Sequence, residues 1–178
     1  MNIRELVFNI QTVYDEMAET FSKFQKDSGL PCLPDCGQCC TNPEIEASLF
    51  EMLPWALKVY DEGTSDLWLE KLENPHQNFC LLLNKSHKCL SYSERPAVCR
   101  MFGVAGYKDK YGKSTLALCK VIRENNPNSP LPTDAPVMSQ WFNRISNLGD
   151  PSLHKKLPIN EAMRSALVKI MFYFQYHS

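Results

Sequence analysis

Cys32-Leu33-Pro34-Asp35-Cys36-Gly37-Gln38-Cys39-Cys40 carries four thiols in nine residues, more than a packed core segment can use. Four more follow at Cys80, Cys89, Cys99 and Cys119, and none after that. Soft thiolates select zinc, copper(I) and iron–sulfur clusters over hard cations. Cys36-Gly37-Gln38-Cys39 has the two-residue gap by which two sulfurs grip one metal, with the glycine expected to relieve a tight turn. The adjacent Cys39 and Cys40 point in different directions, so they are not expected to bind the same ion. Eight sulfurs with one such split pair fit two four-sulfur sites or one larger cluster with bridging thiolates. They also fit one four-cysteine site with the other thiols unliganded.

Outward from this stretch, 178 residues are about the size of one domain and can bury a core without crosslinks. Hydrophobic content of 44% and charged content of 22% are ordinary for a globular chain. A formal charge of -1 gives no general attraction to nucleic acid or to an anionic membrane, and neither is expected as a partner. No apolar run reaches the roughly 18–20 residues of a membrane-spanning helix. Met1-Asn2-Ile3-Arg4-Glu5-Leu6 lacks the apolar block of a secretory signal, so the expected location is a reducing cytoplasm. In that compartment the cysteines are metal ligands and not bridges. The alternative, four disulfides in a secreted protein, is opposed by the missing signal and by the crowding at Cys39-Cys40.

The flanks read as helices. Ile3, Leu6, Val7, Ile10, Val13, Tyr14, Met17, Phe21 and Phe24 recur at three- and four-residue steps, predicting one amphipathic helix over 2–27 that Gly29 ends. Its stripe packs on the chain's own core or, less commonly, forms a seam with a protein partner that the sequence does not identify. Ile45, Leu49, Met52 and Leu53 predict a short helical stripe, restarted at Pro54 and running to Gly63; Thr64 or Ser65 caps another short helix. A break is expected at Asn74-Pro75.

Phe79–Leu83 and Cys89–Tyr92 predict two strands of a hairpin with a cysteine on each arm. Ser93-Glu94-Arg95-Pro96 predicts a capped helix start, with Pro96 in the first turn. Gly103 to Gly112 reads as a loop, in which Gly103-Val104-Ala105-Gly106 is an ordinary turn, and Thr115 to Val121 as a strand ending near Cys119. Residues 125–136 hold four prolines and three asparagines and predict a bare connection. Val137, Trp141, Ile145 and Leu148 form a stripe closed by Gly149-Asp150-Pro151, and a last helix starts near Asn160. The expected fold is mainly α with a small β-hairpin. Its domain organisation is a single domain over 1–178: an N-terminal helix over 1–29, a cysteine-cluster core over 30–122 and C-terminal helices over 137–178.

Some of the candidate residues have plainer readings. Cys80, in an apolar run, and Cys119, alternating with Leu116 and Leu118, are also readable as small buried hydrophobes. His87, two residues before Cys89, is a ninth ligand or a solvated turn residue, and the latter is commoner. His76, His154 and His177 have nothing to recommend them as ligands. Arg95 and Arg100, beside clustered thiolates, are expected to offset charge, hydrogen-bond sulfur or receive an anionic ligand, the alternative being an ion pair with Glu94 or another carboxylate. The Cys32-x3-Cys36-x2-Cys39 spacing is the one with which radical S-adenosylmethionine enzymes hold a four-iron cluster. Those enzymes place it after the first strand of a large α/β barrel, which the helical periodicity here does not match. The spacing still accommodates an iron–sulfur cube.

Cys36-Gly37-Gln38-Cys39-Cys40, then Cys80 and Cys89, then Tyr92-Ser93-Glu94-Arg95-Pro96-Ala97-Val98-Cys99-Arg100-Met101-Phe102 resembles the cysteine-cluster family of zinc- or iron-chelating proteins. The resemblance covers residues 32 to about 119. It implies that Cys32, Cys36, Cys39, Cys40, Cys80, Cys89, Cys99 and Cys119 are all candidate metal ligands. The gap between Cys32 and Cys36 is one residue longer than the family's pattern. The cluster is also similar to that of a bacterial flagellin lysine N-methylase, which implies protein methylation as an alternative activity. The expected function is therefore a metal-binding protein that holds an iron–sulfur cluster or zinc in a structural or redox role. The alternative is a metal-dependent, protein-modifying methyltransferase.

Overall fold

A computed structural model describes residues 2–33, 36–73, 79–129 and 132–177. The expected break at Asn74-Pro75, together with His76, Pro34 and Asp35, lies outside them. The fold is mainly α with small β-hairpins, as its periodicities predict.

Helix α1 (Ile3–Ser28) is set at both ends by its own sequence. The Asn2 side chain accepts the Arg4 N–H at 2.9 Å, and Gly29, at φ 66°, closes the last turn with its N–H on the Gln25 and Lys26 carbonyls. Eight of the predicted stripe residues, Ile3 through Phe21, are buried. They pack in one core cluster with the apolar faces of α2 (Leu53–Asp61) and of the last helix, and each such side chain contributes about 1.5–3 kcal/mol by leaving water. Among the described residues the stripe is thus covered by the chain itself. A third helix, α3 (Ser65–Glu73), follows the predicted stop at Gly63.

Between α1 and α2 the chain does not form the predicted helical stripe. Glu46–Ser48 is a strand, β1, and only a single 3₁₀ turn, Phe50–Met52, precedes α2. The cause is the buried Glu51, whose carboxylate accepts both the Ser48 N–H (2.8 Å) and the Ser48 hydroxyl (2.9 Å) and folds the backbone back on itself. Pro54, lacking an N–H, then falls in the first turn of α2, where no donor is required.

The predicted hairpin over 79–92 is reduced to one bridge, Leu83 to Cys89. Among the described residues, only the Leu90 and Asn84 N–H groups reach across, to the Leu82 and Lys88 carbonyls, and other backbone groups have different partners. The Leu81 N–H is taken by the Asn160 side chain, the Leu83 N–H by the Cys80 carbonyl, and the Ser86 and Lys88 N–H groups by the Asn84 side chain. The hairpin forms instead from β2 (Val104–Lys108), expected as a loop, and β3 (Ser114–Leu118), with Val104 opposite Leu118. Its turn is built by the Asp109 carboxylate, which accepts the Tyr111 and Lys113 N–H groups, and by Gly112 at φ 79°.

Helix α4 (Ala97–Met101) also starts later than predicted, because the Ser93 hydroxyl donates to Glu94 instead of capping. Pro96 is then the residue before the helix and not in its first turn. Short α5 (Lys120–Asn125) follows β3, and α6 (Met138–Ser146) buries Trp141 and Ile145 of its predicted stripe. Strand β4 (Lys156–Pro158) pairs antiparallel with β1, a pairing the sequence did not signal, and leads into α7 (Ile159–His177). No described helix is long and apolar enough to cross a membrane.

Candidate metal centre

Six of the eight cysteines line one cavity of about 160 Å3. Cys36, Cys39 and Cys40 come from the loop after α1 and the 3₁₀ turn Gln38–Thr41; Cys80 and Cys89 flank the Asn84 turn; Cys99 sits on α4. Cys32 and Cys119 stand outside this wall but are close enough for Cys119 to act on the Cys32 thiol. Cys119 precedes α5, gives its N–H to the Gly103 carbonyl at 2.8 Å and packs against the small apolar cluster of Leu30, Val104 and Ile122. Among the described residues, no three Cys, His, Asp or Glu side chains converge on a single ion position as they stand.

Gly37 brings the two halves of this wall together, for a different reason from the one expected. Its φ of -99° is open to any residue, so the turn itself is unstrained. A Cβ there would strike the His87 carbonyl oxygen and meet Leu83 Cδ1 at 2.6 Å. The glycine is a contact surface between the cysteine loop and the Asn84 turn. His87 itself is exposed, sits at φ 57° and does not line the cavity.

Asn160, in the first turn of α7, holds the other edge. Its side chain accepts the Leu81 N–H at 3.0 Å and donates to the Phe79 carbonyl at 2.9 Å, gripping the backbone on both sides of Cys80. Further along, the Cys80 N–H reaches the Cys40 carbonyl at 3.3 Å, linking the loop and turn through backbone.

The sulfurs are not independent. The Cys40 thiol hydrogen-bonds to both Cys39 and Cys89, which draws Cys39 down to about 7 and Cys89 down to about 6 against the opposing effect of burial. Cys40, held by the same two bonds, is driven upward and keeps the proton. Burial pushes Cys80 up to about 11, with the Leu82 and Leu83 N–H groups on its sulfur pulling the other way. Burial, then Cys80 and Cys39, raise Cys99; burial, then Cys36 and Cys39, raise Cys32. Mutual repulsion of this kind is relieved by a cation, which deprotonates coordinating thiols outright. Backbone N–H groups aimed at sulfur favour the same outcome.

Two cations border the cavity, Lys88 and Arg95. Arg95 lowers Cys39, Cys89, Cys99 and Cys32, though in none of them is it the largest cause. Its guanidinium lies 3.5 Å over the Tyr92 ring, with Nε donating to the Tyr92 carbonyl at 3.1 Å. Arg100 is placed differently. It is buried, and donates to the carbonyls of Arg95 (2.9 Å), Tyr14 (3.3 Å) and Ser93, binding α1 to the segment that carries Cys99. Glu94 pairs with neither arginine; it accepts from Ser91 (2.6 Å), Ser93 (2.7 Å) and Lys58 (3.1 Å).

Lys88 and Asn160 escaped sequence reasoning. Lys88 reads as one more residue of a polar turn, and Asn160 as an ordinary first-turn residue whose partners lie some 80 positions away.

The donor set fits a thiophilic metal: soft ligands, two neighbouring cations and backbone donors on sulfur. No match was found among curated proteins or among solved structures. The family named CxxCxxCC, described as a "putative zinc- or iron-chelating domain", matches residues 31–120, half of the sequence and all of its cysteines. The chain belongs to that cysteine-rich family.

Proposed function

We propose that the protein holds an iron–sulfur cluster through Cys36, Cys39, Cys40, Cys80, Cys89 and Cys99, with Cys32 and Cys119 as reserve thiols beside it. The reading is carried by one observation: six sulfurs from separate segments of the chain surround one cavity of about 160 Å3. A single zinc ion, bonded at about 2.3 Å to four sulfurs, leaves no space of that size between them and uses fewer donors than are present. A cluster takes thiolates at several corners, which suits sulfurs spread around a wall. Cys40, hydrogen-bonded between Cys39 and Cys89, would serve as a bridging donor. Arg95 and Lys88 would offset the negative charge of the thiolates and raise the reduction potential. In this reading the centre both braces one folding unit and carries electrons.

Anaerobic purification with metal analysis and a visible spectrum tests it. The expected sample is brown, contains iron and acid-labile sulfide, and bleaches with dithionite. A colourless protein with stoichiometric zinc overturns the reading.

A further inference from the structure

The sulfur-lined cavity has a neighbour. Across a wall made by Tyr92, Arg95 and Cys99, a second cavity of about 280 Å3 opens between α1 and the segment leading into α4. Its polar lining comes from Ser22 and Gln25 on α1 and from Ser93, Arg95 and Arg100 opposite, with the Cys32 thiol on its edge beside Cys99. Among the described residues, neither arginine has a carboxylate within ion-pair distance: Arg100 bonds only carbonyls, and Arg95 bonds the Tyr92 carbonyl through Nε. Asp15 is the one acid on this wall, and its carboxylate accepts the Gln11 amide at 2.8 Å.

Charges withdrawn from water are normally paired in a folded protein. Here a guanidinium only 9% exposed shares a cavity with a second guanidinium, and Asp15 and Glu94 act on Arg100 only from beyond ion-pair distance. Stacking on Tyr92 fixes the plane of Arg95, and among the described residues its two terminal nitrogens have no hydrogen-bond partner. Such a fork is the shape that takes a carboxylate or phosphate bidentately.

We propose that this cavity is a binding site for a small anion, a carboxylate or phosphate compound of a few heavy atoms. Arg95 is the recognition group, and Arg100 is a fixed charge behind it. The volume lies at the low end of small-molecule sites, so a large ligand is excluded. Because Arg95 also borders the sulfur cavity, a bound anion competes with the thiolates for its charge. The proposal goes beyond the metal reading and does not depend on which metal is held.

Calorimetric titration of the full chain, as purified with its metal, uses inorganic phosphate and succinate as separate probes. Saturable one-to-one binding of at least one is expected, and which one binds separates phosphate from carboxylate recognition. Arg95→Gln is expected to weaken it at least about tenfold, the loss of roughly one charged hydrogen bond. Ala18→Leu fills the cavity from α1 while keeping every charged group and sulfur. It should weaken binding similarly with metal content and melting temperature unchanged. No saturable binding of either probe overturns the proposal, as does unaltered affinity in Arg95→Gln. If Arg95→Gln loses its metal, Ala18→Leu alone decides, and unaltered affinity there is equally fatal.

Discussion

Gly37 lies so close beneath the His87 carbonyl that a single methyl group on its α-carbon has nowhere to go. The obstacle is backbone, which cannot swing aside as a side chain can. Gly37→Ala should therefore part the cysteine loop from the Asn84 turn. Overpacking of this kind destabilises by about 1–3 kcal/mol. Metal content and thermal melting of the variant check it, and a protein with wild-type metal and an unchanged melting temperature would show that the contact is dispensable.

Asn160 offers a second lever on the same wall. Asn160→Ala would strand the Leu81 N–H and the Phe79 carbonyl, at a cost of about 1–3 kcal/mol if water does not reach them. Asn160→Asp keeps the acceptor and loses the donor, so it should fall between. Urea unfolding of the three proteins gives the order directly; equal midpoints would remove the clamp from the account.

Removing the metal should loosen the centre before the frame. Structural metal contributes on the order of 10–16 kcal/mol in small metal-folded domains, comparable to a whole domain's stability. Most of the apolar core here is supplied by α1, α2 and α7, with Cys80 as one member and Cys40, Cys89 and Cys99 packed on its edge. Chelation is expected to lower the melting temperature and to expose amides in residues 36–41 and 80–92 to exchange while α1 stays protected. Full protection and an unshifted melting temperature in the metal-free protein would mean that the centre carries no structural weight.

His154 predicts a pH dependence away from the sulfurs. Its ring packs against Phe50 at 4.2 Å, and burial lowers its proton affinity below the ordinary 6.5. Glu51 and Asp150 oppose that shift, while Lys156 reinforces it. A folded value below the unfolded one means that the unfolded chain takes up the proton first as pH falls. Stability on this account is fully present above 6.5 and drains away below it. His154→Phe should flatten the decline in melting temperature between pH 7 and 5. Parallel curves for the two proteins would rule His154 out as its source.

The helices were readable because their evidence is local. The α1 stripe, the Gly29 stop and the Trp141–Ile145 face each follow from residues within a few turns. The errors fell where a distant or side-chain partner replaced the expected backbone pairing. Asn160 and Asn84 took the donors of the predicted 79–92 hairpin, and Glu51 folded back the segment after β1. All eight cysteines read as candidate ligands and six line one cavity; the two that stand apart each carried a local sign, the longer gap after Cys32 and the alternation of Cys119 with Leu116 and Leu118. Gly37 was singled out correctly and for the wrong reason, since only the fold shows what lies opposite it.

The clamp from Asn160 to the Cys80 segment also sets an order of events during synthesis. Every thiol has been translated by Cys119, but the side chain that grips Phe79 and Leu81 comes about 40 residues later. At about 5–20 residues per second, roughly two to eight seconds pass in which all eight cysteines exist and their wall is incomplete. During that interval the thiols are open to wrong metals, oxidants and one another. The C-terminal helix is thus the last piece of the centre to arrive, although it carries no sulfur.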